Sequence, residues 1–183
     1  MDLCERVRAL AAETGFSESG FVEIARLRYL EDVRRICEGN SCRGYGATWA
    51  CPPAVGTLAQ CRARVESFER MLLFSRKYEL EDSFDFEGMR RAMRDFKALV
   101  DDYHRRLQPV LRDFQLLSNE GCGRCEVCTC PDAPCRFPEL LHHSLEGYGF
   151  LVQELAQAAG IRYNGGKNTV TFFGALLFGR KDA

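Results

Sequence analysis

Five cysteines fall within fourteen residues, from Cys122 to Cys135, and nothing else in the chain limits its fold so tightly. The segment reads Gly121-Cys122-Gly-Arg-Cys125-Glu-Val-Cys128-Thr-Cys130-Pro-Asp-Ala-Pro-Cys135-Arg-Phe-Pro138. Its glycines and prolines predict a loop rather than a regular element. Three thiolates at two-residue gaps, Cys122, Cys125 and Cys128, can wrap three corners of a cubane in one tight turn. Bacterial ferredoxins use this triplet and take a further Cys-Pro after three residues. Here six residues separate Cys128 from Cys135, and Pro138 lies three further on. The triplet therefore matches the ferredoxin spacing, and the fourth position does not. Cys130 follows Cys128 too closely to share a cubane without strain. Cys135 is the expected fourth ligand, and Cys130 is left out.

The alternative is zinc, which takes four thiolates tetrahedrally, commonly from two well-separated CxxC pairs. A packed CxxCxxC suits a cubane better than one ion, but both metals stay open at this point. Disulfides are the weaker reading. Residues 1–15 are interrupted by Asp2, Glu5, Arg6, Arg8 and Glu13, so the apolar run of a signal peptide is missing. A cytoplasmic location is expected, where thiols stay reduced and clustered cysteines bind metal or catalyse. No apolar stretch is long enough to span a membrane. The formal net charge of −1 gives no basic footprint for nucleic acid.

The remaining cysteines are looser. Cys37, Cys42 and Cys51 lie in a stretch rich in glycine, with Cys51 followed by Pro52-Pro53, and Cys61 comes after it. Four thiolates could hold a second metal centre. Equally, some could be small buried core residues, as free cysteine often is. Cys4 falls on a predicted helix face and is expected to pack in the core. His104, flanked by Arg105 and Arg106, reads as solvated. His142 and His143 follow the second loop closely, but thiolates already suffice as ligands there. Tyr45 and Trp49 are expected to pack the first loop.

At 183 residues the chain can bury a core without help from metal. One metal-binding domain over 1–183 is expected. Apolar spacing predicts helices over 2–14, 57–70 and 87–107, the last carrying Met89, Met93, Phe96, Val100, Tyr103 and Leu107 on one stripe. Pro109 should end that helix, with a short second segment running to Leu117. Pro138 suits the first position of another helix, to about Ala159, weakened by Gly147 and Gly149. Strands are predicted over 20–26, 71–78 and 169–178. Alternating elements of this kind predict an α/β or α+β fold: one small mixed sheet, packed helices and two cysteine-rich loops.

The motifs together resemble a known family. Cys42-x2-Tyr45-Gly46-x2-Trp49-x-Cys51-Pro52-Pro53 is similar to its first signature. Gly121-Cys122-x2-Cys125-x2-Cys128-x6-Cys135-Arg136-Phe137-Pro138-Glu139 is similar to its second. Ser144-Leu145-Glu146-Gly147-Tyr148-Gly149 and Thr169-Val-Thr-Phe-Phe-Gly174 resemble the two that follow. The family is an uncharacterised prokaryotic one, described only as predicted metal-binding proteins. Two residues depart from it. Cys130 stands where the family has an aromatic residue, and Leu145 where methionine is commoner. The resemblance implies metal binding, with iron–sulfur as its expected form, and supplies no reaction.

No phosphate-binding, dinucleotide-binding or nucleophile-elbow motif is present in the sequence. The leading expectation is a [4Fe-4S] protein that passes electrons to or from a protein partner. A zinc-held adaptor is the second reading. The third is an iron–sulfur enzyme with Glu146 as acid or base, against a purely structural carboxylate.

Overall fold

The computed structural model describes residues 2–181; Met1 and the last two residues of the expected 1–183 domain lie outside them. Helix α1 (Leu3–Thr14) starts on a capping box. The Asp2 side chain takes the Glu5 amide, and Glu5 reaches back to the Asp2 amide. It ends at Gly15, whose φ of +107° is in the left-handed region that favours glycine. Strand β1 is Glu18–Val22, and a 3-10 turn at Ile24–Arg26 replaces the second half of the strand expected to Arg26. Helix α2 (Glu31–Glu38) is an addition to the expected elements: it is short, and of its apolar residues Val33, Ile36 and Cys37 only Val33 is buried.

Helix α3 (Leu58–Glu66) opens on a second capping box, Thr57 with Gln60. It stops short of the expected Arg70, since strand β2 (Phe68–Glu79) needs the following residues for pairing. Helix α4 (Phe86–Leu107) buries Phe96, Val100, Tyr103 and Leu107 along the predicted stripe. The segment expected to follow Pro109 is strand β3 (Phe114–Ser118).

The helix expected from Pro138 to Ala159 is broken into pieces. A 3-10 turn (Pro138–Leu140), the short strand β4 (His143–Ser144) and a second 3-10 turn (Glu146–Tyr148) precede helix α5 (Val152–Ala159). Gly149 at φ +76° cannot continue a helix, and its carbonyl accepts the Leu30 amide at 2.9 Å. Strand β5 (Thr169–Arg180) completes the chain.

The strands form one mixed sheet in the order β1-β2-β5-β3-β4. All neighbours are antiparallel except β3 and β4, which are parallel. The α/β expectation of one small mixed sheet with packed helices is met. Apolar side chains of β2 and β5 alternate between two cores. Met71, Leu73, Phe173, Ala175 and Leu177 pack with α3 and α5, and Leu72, Phe74, Leu176 and Phe178 with α1 and α4. A strand buried on both faces reads as a continuous apolar run, as β5 does from Phe172 to Phe178, with one glycine. Both cysteine loops lie beside the β3–β4 edge. One follows α2, and the other leaves the end of β3 and returns as β4.

Candidate metal centres

The second loop begins with two glycines in the left-handed region, Gly121 at φ +80° and Gly123 at +56°. A Cβ at either would meet no atom within 4 Å, so backbone conformation rather than crowding calls for glycine. Arg124 anchors the turn: its guanidinium grips both Asp101 carboxylate oxygens on α4, and its Nε donates to the Leu140 carbonyl at 3.1 Å. Further along, Arg136 donates to the Val127 carbonyl at 2.8 Å, and the Thr129 hydroxyl to the Pro134 carbonyl at 2.8 Å. The Phe137 amide donates to Cys135 Sγ at 3.4 Å.

Cys122, Cys125, Cys128, Cys130 and Cys135 are all half-buried and line one cavity of about 430 Å³. The four expected ligands are therefore brought together, and Cys130 with them. Ala47, Thr48 and Trp49 of the first loop form another wall. The Trp49 indole donates to the Ala133 carbonyl at 3.1 Å, so the two loops are joined. Trp49 packs the loops as expected.

The first group divides. A Cβ on Gly44 would lie 3.0 Å from Cys51 Sγ and 3.6 Å from Cys42 Sγ, so these two sulfurs flank one point. Cys37 feels both of them. Burial first, then the charges of Glu146, Cys42 and Cys51, push its thiol up to about 11. Burial also raises the Cys51 thiol. Cys61 is not brought to this trio. It is fully buried in the core, with its thiol 3.6 Å from the Val55 carbonyl oxygen and 3.9 Å from that of Gly147. That is the core-thiol alternative of the sequence reading. Cys4 is partly buried against the α1–α4 core.

Cys130 lines the second-loop cavity with the other four. Burial raises its thiol, and its charged neighbours are Cys128, Asp132 and Cys51. Among the described residues, no three His, Cys, Asp or Glu side chains converge closely enough for a single ion. Thiolates around one zinc lie roughly 3.8 Å apart, given its bond lengths and tetrahedral geometry. A cubane gives each thiolate its own iron and takes a wider set. An all-thiolate donor set around a shared cavity fits such a group.

The histidines differ from expectation in one respect. His104 is not solvated. Its ring is half-buried, 5.0 Å from Phe114 and 5.7 Å from His142 between centroids. His142 is buried, and burial pushes it down to about 3. His143 is held down to about 4 by burial, and its Nδ1 lies 2.9 Å from the Tyr148 hydroxyl. Burial pushes the Glu146 carboxyl up to about 7, and its charged neighbour is Glu120.

A family model described as "Predicted metal-binding protein (DUF2284)" matches residues 20–178. No curated protein and no solved structure matches the chain.

Proposed function

Because this chain belongs to that family of predicted metal-binding proteins, we propose that it carries a [4Fe-4S] cluster on Cys122, Cys125, Cys128 and Cys135 and exchanges single electrons with a protein partner. The observation that carries the reading is the one cavity lined by all four thiols, on a loop with ferredoxin-type triplet spacing. A cluster bound there would supply one-electron chemistry at a potential set by burial and by hydrogen bonds to sulfur. The chain provides both. The Phe137 amide already donates to Cys135 Sγ, and the thiols are half-buried rather than sealed.

At the rim, Val127 is 74% exposed and Phe137 40% exposed. Apolar side chains beside a redox group give a partner surface to cover, and shorten the approach to the cluster. The nearby bidentate Arg124–Asp101 pair fixes the loop to α4, so the thiols keep their positions in either redox state. Cytoplasmic location is part of the same reading, since it keeps ten cysteines reduced.

Anaerobic purification with an optical spectrum and iron, sulfide and zinc analysis tests the cluster. Broad visible absorption with at least about four irons and four sulfides per chain is expected. Cys125→Ser should lose about four irons. Colourless protein holding zinc and no sulfide would overturn the reading in favour of the zinc-held adaptor. A loaded cluster that cannot be reduced and reoxidised reversibly would remove the electron-transfer role.

A further inference from the structure

Two sulfurs of the first cysteine group stand apart as a pair. Cys42 Sγ and Cys51 Sγ lie 3.6 Å and 3.0 Å from the one point where a Cβ on Gly44 would stand. Gly44 is not among the glycines with left-handed backbone. Glycine is there for space: a side chain would press on Cys51 Sγ and fill the gap between the sulfurs. Rotation about the Cα–Cβ bonds moves the two sulfurs toward each other across that gap.

The chain between them is already folded back. The Ala47 amide donates to the Gly44 carbonyl at 3.2 Å, the Gly46 amide to the Pro52 carbonyl at 2.8 Å, and the Cys51 amide to the Thr48 carbonyl at 3.3 Å. A cross-link from Cys42 to Cys51 therefore closes a short loop whose ends are held near each other, at little further cost in chain entropy. Cys42 is exposed and Cys51 half-buried, so a soluble reagent reaches one sulfur first. Inside the loop is Trp49. It walls the second-loop cavity, and its indole donates to the Ala133 carbonyl at 3.1 Å.

We propose that Cys42 and Cys51 are a redox pair, whose reversible disulfide locks the 42–51 loop and with it the Trp49 wall of the second-loop cavity. The proposal is independent of which metal the second loop holds. The oxidant is a small disulfide of the glutathione class. The Cys42 thiolate attacks one of its sulfurs and releases the first small thiolate. The Cys51 thiolate then attacks Cys42 Sγ in the mixed disulfide and releases the second. The protein thiols lose two electrons and two protons, and the small disulfide gains them as two thiols. In a reducing compartment such bonds are transient and redox-sensing.

The test uses the full chain, purified anaerobically with its bound metal and equilibrated with mixtures of reduced and oxidised glutathione. Samples are alkylated in denaturant and digested with trypsin without reduction. Cleavage after Arg43 parts Cys42 from Cys51, so a bond between them joins peptides 36–43 and 44–62. Fragmentation should place the bond at Cys42 and Cys51, with Cys37 and Cys61 alkylated. Emission from Trp49, the single tryptophan, should change over the same mixtures and return on adding a thiol reductant. Cys42→Ser and Cys51→Ser should each abolish the joined peptide and the emission change, and Cys37→Ser should leave both. No joined peptide in any mixture would overturn the proposal, as would a bond that forms equally well through Cys37. A bond that leaves Trp49 emission unchanged would also overturn it, because the cavity wall would not be responding. Loss of bound metal from Cys42→Ser would overturn it in favour of a second metal centre.

Discussion

His142 is buried beside the second loop, with neither ring nitrogen hydrogen-bonded to the protein. Asp101 lies 3.9 Å away, and Lys97, Arg124 and His104 also face it. Burial holds its folded-state value at about 3, against 6.5 for an ordinary histidine. The unfolded chain therefore takes up a proton below about pH 6.5 that the folded protein refuses. The stability contribution is complete above that pH and is lost as pH falls from about 6.5 toward about 3. His143, held at about 4, acts in the same direction over a narrower window. Each histidine contributes a slope of at most about 1.4 kcal/mol per pH unit. A leucine at this position keeps the volume and removes two unpaired buried nitrogens. His142→Leu should match the parent chain at pH 7.5 within about 1 kcal/mol and gain on it steadily as pH drops toward 5. Denaturant titrations of both chains across that range check this. A stability difference that does not change with pH would show that His142 is not the acid-sensitive group.

Between elements, the contact of α5 with β1 rests on Gly20. A Cβ there would lie 2.0 Å from the Ala159 carbonyl oxygen, which is backbone and cannot swing aside. Gly20→Ala should lift the end of α5 from the sheet, at a cost of about 2–3 kcal/mol, or about 5–10 °C in melting temperature. Gly160→Ala is the control. Gly160 caps α5 at φ +67° with nothing within 4 Å of the missing Cβ, so only conformation is lost, about 1 kcal/mol. Thermal melts of the two variants should separate them, and equal shifts would discount the close approach. The sequence reveals such packing unevenly. Helices α1, α3 and α4 and strands β2 and β5 are legible because capping residues, stripes and apolar runs are local signals. Residues 138–159 are not, since Gly149 bends there to meet Leu30 from a distant part of the chain. Nor is β3, whose strand character comes from pairing with β5.

At the scale of the whole molecule, the sheet and the cysteine loops have separate means of support. Strands β2 and β5 are buried on both faces by helices, with Phe74, Phe96 and Tyr103 packed ring against ring on one side. The loops are held by a few polar ties: Trp49 to Ala133 joins them to each other, Ser144 to Ala50 fixes the first to β4, and Arg124 to Asp101 fixes the second to α4. The spacing of Cys122, Cys125, Cys128 and Cys135 announces one centre in the sequence. The joining of the two loops and the burial of Cys61 rest on contacts between distant parts of the chain, and no spacing rule contains them. Metal binding is coupled to folding only for the parts that metal organises. Five thiols around one cavity have little apolar contact to hold them in place, whereas the two cores need no ligand. Metal removal by a chelator under reducing conditions should therefore leave the far-ultraviolet circular dichroism and the slow amide exchange of β2 and β5 nearly unchanged. Exchange and proteolysis should rise within residues 39–57 and 119–142. Loss of protection throughout β2 and β5 would instead make the metal part of the core's own stability, and would contradict the separation of sheet and loops.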